Sequence, residues 1–230
     1  VDHAFIVVTL AFPEVKLPFI DRLLVTCEVY GVKPVIVLNK IDIVDEFRDD
    51  FAPALENFHL IYEGAGYSIL EVSAKTGRGV DELRRLCLEK SEDGAPGISL
   101  FSGVSGVGKS SLIKAMDPSL NPKTGLISEA HLQGRHTTTF YEMYPLCGGE
   151  GCIIDTPGIR GFGLVDLEPE EISLYFPEML KAAAGCRFTP CTHTHEPGCA
   201  VKAAVDEGTI SRERYASYLG MLEEYTKYRK

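Results

Sequence analysis

Apolar residues in the first third of the chain fall into two alternating patterns. Continuous apolar runs bounded by polar or turn residues occur at positions 5–10 (FIVVTL), 34–40 (PVIVLNK) and 68–73 (SILEVS). Runs of this length are typical of buried strands. Between them, apolar residues recur every three or four positions, as in amphipathic helices, over residues 17–27, 47–62 and 80–86. This alternation predicts an α/β fold with a mostly parallel sheet covered by helices on both faces.

A glycine-rich stretch follows the next apolar run. The turn-rich segment 91–97 leads into the strand-like residues 98–101, and these precede the stretch GVSGVGKS at 103–110 and the helix-like SSLIKAM. The stretch matches the phosphate-binding pattern G-x-x-x-x-G-K-[ST] without a mismatch. A glycine turn that happens to precede a helix is the alternative interpretation.

The phosphate-binding pattern assigns chemistry to individual residues. Backbone N–H groups close around phosphate oxygens, the new helix presents its positive end, Lys109 reaches the outer phosphates, and Ser110 can bind magnesium. The predicted nucleotide-binding residues of this stretch are Gly103, Val104, Ser105, Gly106, Val107, Gly108, Lys109, Ser110 and Ser111.

Two of the predicted strands end in motifs that suit a guanine base. NKID (39–42) closes the second strand and SAK (73–75) closes the third. The Asp42 carboxylate can accept from both the ring N–H and the exocyclic amine of guanine, a pair that adenine does not offer. Asn39 would hold the base and neighbouring loops, and the Lys40 stem would cover the sugar. In the SAK motif, the Ala74 N–H between Ser73 and Lys75 would reach the guanine carbonyl oxygen. A capped turn is the alternative for NKID alone.

Two further segments are candidates for the phosphate and magnesium end of the site. In GRHTTTF (134–140), Thr137 and Thr138 can supply a second hydroxyl to magnesium, although these threonines also suit the start of an edge strand, TFYEMYPL. The strand-like CIID then leads into DTPG. There Asp155 can hold magnesium through a water molecule, and the Gly158 N–H can sense the terminal phosphate.

The order of these motifs is unusual. Ras-like G proteins carry the phosphate-binding loop first, whereas here NKID and SAK precede it. Chain termini that lie close together permit such a permutation without changing the sheet. The motifs therefore predict a circularly permuted P-loop G domain over residues 1–165.

The C-terminal part, residues 166–230, is predicted to be a separate small helical domain. One helix is expected over 167–183 and a closing helix over 210–228. Between them lies the pattern C-x4-C-x-H-x5-C, whose ligand types suit a closed structural zinc site. The predicted ligands are Cys186, Cys191, His193 and Cys199. His195 is the competing ligand, and reduced thiols in a loop are the alternative to a metal site.

Composition limits the possible partners and location. The formal net charge of −10 disfavours a protein that coats nucleic acid, so contact with RNA must come from a local patch. The longest apolar run, residues 4–12, is too short to span a membrane. Cys27, Cys87, Cys147 and Cys152 lie among apolar residues and are predicted to be buried thiols, which indicates a reducing, cytoplasmic compartment. The first residue is Val1 rather than Met, which suggests a fragment or a processed chain.

Taken together, the permuted order and the segments GVSGVGKSSL, GRHTTT, DTPGIRGFGL and C-x4-C-x-H-x-x-E-P-x-C resemble the ribosome-small-subunit-dependent GTPase A family. The resemblance covers essentially the whole chain. It implies a GTPase that is stimulated by the small ribosomal subunit during late maturation, contacts rRNA, binds GTP or GDP with magnesium, and holds zinc through Cys186, Cys191, His193 and Cys199. Family members carry an N-terminal OB-fold domain that is absent here, in agreement with an internal start at Val1. We expect a monomer that binds neither DNA nor membrane.

One departure from Ras-like proteins concerns catalysis. Ile159 follows DTPG where those proteins place a glutamine that orients the attacking water. We hypothesise that His136, next to the magnesium-binding Thr138, orients that water while Lys109 stabilises the phosphates. A solvent-exposed loop histidine is the alternative for His136.

Two other functions compete with a subunit-stimulated GTPase. One is a GTP-sensing RNA-binding module in which hydrolysis is incidental. The other, a P-loop ATPase or kinase, is disfavoured by Asp42 because its carboxylate suits guanine.

Overall fold

A six-stranded sheet is the main β structure. The computed structural model describes residues 1–120, 122, 142–155 and 167–228. The strands are β1 (His3–Val8), β2 (Lys33–Leu38), β3 (Ser68–Glu71), β4 (Gly97–Ser102), β5 (Glu142–Leu146) and β6 (Gly151–Asp155). Their order in the sheet is β3-β2-β1-β4-β6-β5. β4 pairs in parallel with β1 and β6, and β5 is antiparallel to β6 at the edge. The predicted α/β class with a mostly parallel sheet is confirmed.

The helices alternate with the strands in the first half of the chain and dominate the second. They are α1 (Leu17–Tyr30), α2 (Ile41–Glu46), α3 (Arg48–Gly64), α4 (Val80–Cys87), α5 (Lys109–Met116), α6 (Pro177–Ala183), α7 (Ala200–Asp206) and α8 (Arg212–Tyr228). Short 3-10 helices occupy Cys147–Gly149 and Pro169–Tyr175. α1 ends at the predicted glycine: Gly31 adopts φ 63°, a left-handed conformation that glycine accepts without steric cost.

The prediction of one continuous helix over residues 167–183 is wrong. The chain forms the 3-10 helix Pro169–Tyr175, is extended at Phe176 with φ −111° and ψ 100°, and begins α6 at Pro177. Proline lacks the N–H that a helix interior needs and disfavours helical geometry at the residue before it. Pro177 therefore starts a new helix.

The chain divides into two compact units, and each consists of three chain segments. The first unit comprises Val1–Glu14, Val35–Arg48 and Leu70–Arg160, and the second comprises Val15–Pro34, Asp49–Ile69 and Gly161–Lys230. The domain boundary at residue 165 stays a prediction.

The core of the first unit is built on the central strands. All six residues of β1 are buried, as expected for a strand that is covered on both faces. Phe5 of β1 packs on Phe101 of β4, with ring centroids 5.2 Å apart. α4 packs against α5, β4 and β6. This core holds the carboxyl ends of β1 and β4 in fixed register.

The core of the second unit is a helical cluster. α8 packs against α1 and against the 3-10 helix Pro169–Tyr175. Apolar side chains from these elements and from α6 and α7 are buried together, among them Val25, Ile172, Phe176, Met179, Val201 and Tyr218. The Phe176 and Tyr218 rings meet edge to face with centroids 5.9 Å apart.

A buried ion cluster crosses this second core. The guanidinium of Arg214, which is fully buried, donates to Asp21 Oδ1 at 2.8 Å and to Glu178 Oε1 at 2.7 Å. It also lies over the Phe176 ring, 4.5 Å from the centroid. Arg214 thus joins α1, α6 and α8.

All seven cysteines are free thiols. Cys27 and Cys87 are buried as predicted, whereas Cys147 and Cys152 are only half-buried, so that part of the prediction is wrong. The latter two lie at the β5–β6 connection and in β6, next to the edge strand β5. In the part of the chain that the structure describes, no helix is both long and apolar enough to cross a membrane.

Candidate nucleotide-binding site and metal centre

The phosphate-binding loop, residues 103–108, leaves the carboxyl end of β4 and runs into α5. Strand order reverses between β1 and β4, because β2 and β3 extend the sheet on one side and β6 and β5 on the other. Ligands of open α/β sheets bind at such a reversal, outside the carboxyl ends of the strands. The loop therefore lies where the fold offers a crevice.

Two positions in this loop require glycine. Gly103 and Gly108 adopt φ 152° and 97°. A Cβ on Gly103 would lie 2.3 Å from the Val7 carbonyl oxygen, and one on Gly108 would lie 2.4 Å from Asn39 Nδ2. Both distances are too short for non-bonded atoms, so side chains here would displace the loop.

Lys109 begins α5, and its side chain lies along the phosphate-binding loop. Its ammonium donates to the carbonyl oxygens of Gly103 at 2.7 Å and Val104 at 3.3 Å. Burial lowers the pKa of Lys109, and the nearby Asp155 carboxylate offsets part of that effect. A buried lysine beside free helix N–H groups is suited to bind an anion.

The other predicted phosphate-binding residues occupy the loop and the first turn of α5. They are Val104, Ser105, Gly106, Val107, Ser110 and Ser111. Asp155 lies at the end of β6, so the structure describes two of the three predicted magnesium ligands, Ser110 and Asp155. His136, Thr137, Thr138, Gly158 and Ile159 lie outside the described residues.

Asn39 connects the base-recognition motif to the two other loops. Asn39 is buried, with 2% of the residue exposed to solvent. Nδ2 donates to the Val107 carbonyl oxygen at 2.8 Å, and Oδ1 accepts from the Ala74 N–H at 3.2 Å. The NKID motif, the SAK motif and the phosphate-binding loop thus meet at one amide.

Lys40 also reaches the phosphate-binding loop. Its ammonium donates to the carbonyl oxygens of Gly106, at 2.8 Å, and of Phe12. The Pro13 ring lies against the same loop, 3.5 Å from where a Cβ on Gly106 would stand. Sequence reasoning did not identify the Phe12–Pro13 turn as a neighbour of the site. A proline directly after the first apolar run was the available signal.

Asp42 is held in place through one of its two oxygens. Oδ1 accepts from the Ser73 hydroxyl at 2.6 Å, and Ser73 Oγ in turn accepts from the Thr76 N–H at 3.1 Å. Oδ2 lies 3.8 Å from the ammonium of Lys75, which is 79% exposed. This arrangement orients the carboxylate and places an exposed cation near its second oxygen.

A second cluster of chemical groups lies in the C-terminal part. Ligand atoms of Cys186, Cys191, His193 and Cys199 all lie within 4.8 Å of one another. The Cys186 and Cys199 sulfurs are 3.9 Å apart, and His193 Nδ1 lies 3.7 Å and 3.3 Å from them. Tetrahedral zinc with bonds of about 2.3 Å to sulfur separates its sulfur ligands by about 3.8 Å. The donor set and its spacing therefore fit a four-coordinate metal ion.

The competing ligand His195 lies outside this cluster. It is exposed, and its Nδ1 is 2.9 Å from the Thr194 hydroxyl oxygen. His193, by contrast, is buried and adopts a left-handed φ of 56°. The chain thus turns sharply at His193 to bring its ring toward the three sulfurs.

Glu196 orders the loop that carries His193. Its carboxylate accepts from the Thr192 hydroxyl at 2.6 Å and from the N–H groups of Thr192 and Thr194 at 2.8 Å and 3.0 Å. These hydrogen bonds, chiefly that from the Thr192 hydroxyl, lower the pKa of Glu196 to about 2. Sequence reasoning assigned no role to Glu196, although it lies inside the cysteine pattern.

Two tyrosines of α8 support the same loop. Tyr215 donates its hydroxyl to the His193 carbonyl oxygen at 2.6 Å, and Tyr218 donates to the Thr192 carbonyl oxygen at 2.6 Å. Their i, i+3 spacing places them on one face of the helix. The closing helix therefore holds the backbone at the cluster.

Comparison with known proteins identifies the family of this chain. A model of the RsgA GTPase family matches residues 1–165. The small ribosomal subunit biogenesis GTPase RsgA of Bacteroides fragilis is 49% identical to this chain over 230 residues, which cover 99% of the chain and 71% of the relative.

Two solved structures are similar along the whole chain. YjeQ from Thermotoga maritima aligns with a TM-score of 0.79 and 37% identity, covering 97% of this chain and 71% of that protein. YloQ, described as a circularly permuted GTPase, aligns with a TM-score of 0.76 and 27% identity, covering 100% of this chain and 69% of that protein. In this chain, too, the NKID strand β2 precedes the phosphate-loop strand β4. The chain therefore belongs to the RsgA GTPase family and is a circularly permuted GTPase.

Proposed function

We propose that this GTPase acts in the biogenesis of the small ribosomal subunit, at a late stage of maturation, and that the subunit stimulates its turnover. The proposal rests on the hydrogen bonds of Asn39, which connect three nucleotide-binding motifs in a chain of the RsgA GTPase family. The small-subunit role is supported by the name of the Bacteroides fragilis relative. rRNA contact, a monomeric state and a cytoplasmic location stay predictions.

The described residues suggest how the nucleotide is bound. Asp42 recognises guanine, and Asn39 couples the base-binding loops to the phosphate-binding loop. Lys109, which now donates to two loop carbonyls, turns its ammonium to the outer phosphates when these arrive. Because the ammonium is mostly buried, its interaction with phosphate is weakly screened.

Magnesium completes the phosphate end of the site in this proposal. Ser110, Asp155 and Thr138 would hold it, and the ion would neutralise charge that develops on the phosphates. The oxygen donors of Ser110 and Asp155 suit this hard cation. Gly158 would report the terminal phosphate, and Thr137 would flank the magnesium-binding threonine.

The metal of the cysteine and histidine cluster is proposed to be structural zinc. Three thiolates and one imidazole fill a tetrahedral shell and leave no open position for a substrate. Zinc would then stabilise the loop between α6 and α7, and Glu196 and Tyr215 would fix the ligand positions.

His136 is proposed to orient the attacking water, since Ile159 replaces the glutamine of Ras-like proteins. His136→Ala is expected to bind GTP with unchanged affinity and to lose most subunit-stimulated hydrolysis, by about 10²- to 10⁴-fold for a missing general base or orienting group. Retention of full stimulated turnover would eliminate this role.

Phosphate release with and without purified small subunits tests the proposed function. We expect slow intrinsic hydrolysis, clear stimulation by small subunits, and no activity in a Lys109→Ala control. Equal rates with and without subunits would favour the alternative, a GTP-sensing RNA-binding module in which hydrolysis is incidental.

A further inference from the structure

The segment after β1 forms a turn beside the nucleotide-binding loops. β1 ends at Val8, whose carbonyl oxygen accepts from the Asn39 N–H at 2.9 Å. Thr9 comes next, and its hydroxyl donates to the Pro13 carbonyl oxygen at 2.5 Å. This hydrogen bond closes a turn over residues 9–13, a segment that belongs to none of the nucleotide-binding motifs.

Phe12 has an unusual conformation in this turn. Its φ of 50° is left-handed, which a bulky residue rarely adopts. Phe12 is also 75% exposed, so packing of its ring contributes little to holding that conformation. Such strain persists only where the surrounding contacts hold the residue in place. The hydrogen bonds of the turn therefore stabilise the backbone at Phe12.

Two contacts connect the turn to the nucleotide-binding residues. The Phe12 carbonyl oxygen accepts from the Lys40 ammonium, which also donates to the Gly106 carbonyl oxygen at 2.8 Å. The Pro13 ring lies against Gly106 as well. Lys40 is proposed to cover the sugar, and Gly106 belongs to the phosphate-binding loop. The shape of the turn thus affects two parts of the site.

Thr9 carries a hydroxyl at a position where packing requires only an apolar side chain. The residue is 2% exposed, and a valine would fill nearly the same space. Burying a hydroxyl is costly unless it forms a hydrogen bond. The bond from Thr9 to the Pro13 carbonyl oxygen therefore accounts for a polar residue here.

We propose that Thr9 is a positioning residue for guanine nucleotides. Its hydroxyl holds the Phe12–Pro13 turn, and the turn holds Lys40 and the phosphate-binding loop in the conformation that binds nucleotide. Without the hydroxyl, the turn has to be ordered during binding, and that cost lowers the affinity. The inference rests on the proposed nucleotide site, but not on the ribosomal role.

Titration of the chain with fluorescently labelled GDP, and with a labelled non-hydrolysable GTP analogue, tests this role. Thr9→Val is expected to weaken binding of both nucleotides by about three- to tenfold, the effect of one hydrogen bond. The two losses should be equal, because Lys40 and Gly106 would contact parts that GDP and GTP share. Thr9→Ser keeps the hydroxyl and should restore most of the affinity.

Steady-state hydrolysis separates positioning from a general loss of structure. In Thr9→Val, KM for GTP should rise by the same factor as the dissociation constant, whereas kcat should stay unchanged. A lost contact that is equal in the ground state and the transition state has this signature. Thr9→Ala removes the same hydroxyl and provides a second variant, and urea unfolding checks that each variant folds.

Thr26→Val is the matched control. The Thr26 hydroxyl donates to the Arg22 carbonyl oxygen at 2.8 Å, also four residues away, but it lies in α1 in the second unit. This variant should bind GDP like the wild type. In a Lys40→Met background, Thr9→Val should have a smaller effect than in the wild type, since residues that act through one another are not additive.

Four results would overturn the inference. These are wild-type affinity in Thr9→Val, an equal loss in Thr9→Ser, a loss confined to kcat, and an undiminished effect of Thr9→Val in the Lys40→Met background. A wild type that binds no guanine nucleotide would overturn the proposed nucleotide site together with this inference. Normal binding by the wild type with an unchanged Thr9→Val would overturn the inference alone.

Discussion

Asp42 determines which base the site accepts. Its Oδ1 is fixed by the Ser73 hydroxyl at 2.6 Å, so the carboxylate is oriented before a nucleotide binds. Hydrogen bonds to a charged partner contribute about 1.5–3 kcal/mol each. Selection of guanine therefore depends on this one side chain more than on the surrounding loop.

Exchanging the carboxylate for an amide should exchange the preferred base. In Asp42→Asn, the amide NH₂ group, a hydrogen-bond donor, replaces one acceptor oxygen of the carboxylate. We therefore expect GTP affinity to fall by at least about tenfold and xanthosine triphosphate to become the better ligand. Equilibrium competition between the two nucleotides measures this. Lys75→Ala is a useful control, because that exposed cation contacts Asp42 only at 3.8 Å. An unchanged preference for GTP in Asp42→Asn would refute the base assignment.

For individual residues, the sequence predicted which side chains belong to the site better than it predicted what they contact. Spacing alone indicated Asn39, Asp42 and Lys109, since each belongs to a short motif with its own chemistry. Asn39 was expected to hold neighbouring loops, but its partner Val107 could not be predicted, because 68 residues separate the two and their contact depends on how β2 and β4 are arranged in the sheet.

Among the elements, the loop between α6 and α7 carries the four residues that could hold a metal ion. Its ligand atoms lie within 4.8 Å of one another, and three thiolates this close together would repel one another without a cation. Glu196 and the tyrosines of α8 fix the backbone around them. Removing one ligand should still loosen the loop, because the remaining ligands would lose the cation that they share.

Cys191→Ser should reduce bound zinc from about one ion per chain to a substoichiometric amount and make the C-terminal helices more sensitive to protease. Metal analysis and limited proteolysis measure the two effects. Cys147→Ser is the matched control, since Cys147 is half-buried and lies outside the cluster. Full zinc content in Cys191→Ser would contradict the proposed site.

Helix and strand positions were predictable where apolar periodicity and turn residues agreed. α1 begins at Leu17 and is followed by Gly31 as the spacing indicates, and β5 forms the predicted edge strand in its described part. The break at Phe176 was missed because apolar spacing continues across Pro177, although proline alone should have divided the helix.

For the molecule as a whole, Arg214 is the buried residue that joins distant parts of the sequence within the second unit. It lies 193 residues from Asp21, to which it donates at 2.8 Å. No periodicity or motif indicates this pair, since burial of a charge depends on tertiary packing alone. Sequence therefore did not reveal how α1 associates with the C-terminal helices.

Arg214→Met should destabilise the chain by about 3–5 kcal/mol, because Asp21 and Glu178 would remain buried without their partner. Urea unfolding of the whole chain measures the change. Arg22→Met makes the same substitution in an exposed pair, where Arg22 donates to Glu224 at 2.5 Å, and should cost less than about 1 kcal/mol. Similar losses in both variants would show that the buried cluster has no special importance.

The central claim is that one guanine-specific site drives a cycle stimulated by the small ribosomal subunit. Phosphate release from GTP and from xanthosine triphosphate, titrated with small subunits for the wild type and for Asp42→Asn, tests it most directly. We predict that subunits stimulate the wild type on GTP and Asp42→Asn on xanthosine triphosphate. Absence of stimulation in the wild type, or GTP-driven stimulation that survives Asp42→Asn, would contradict the claim.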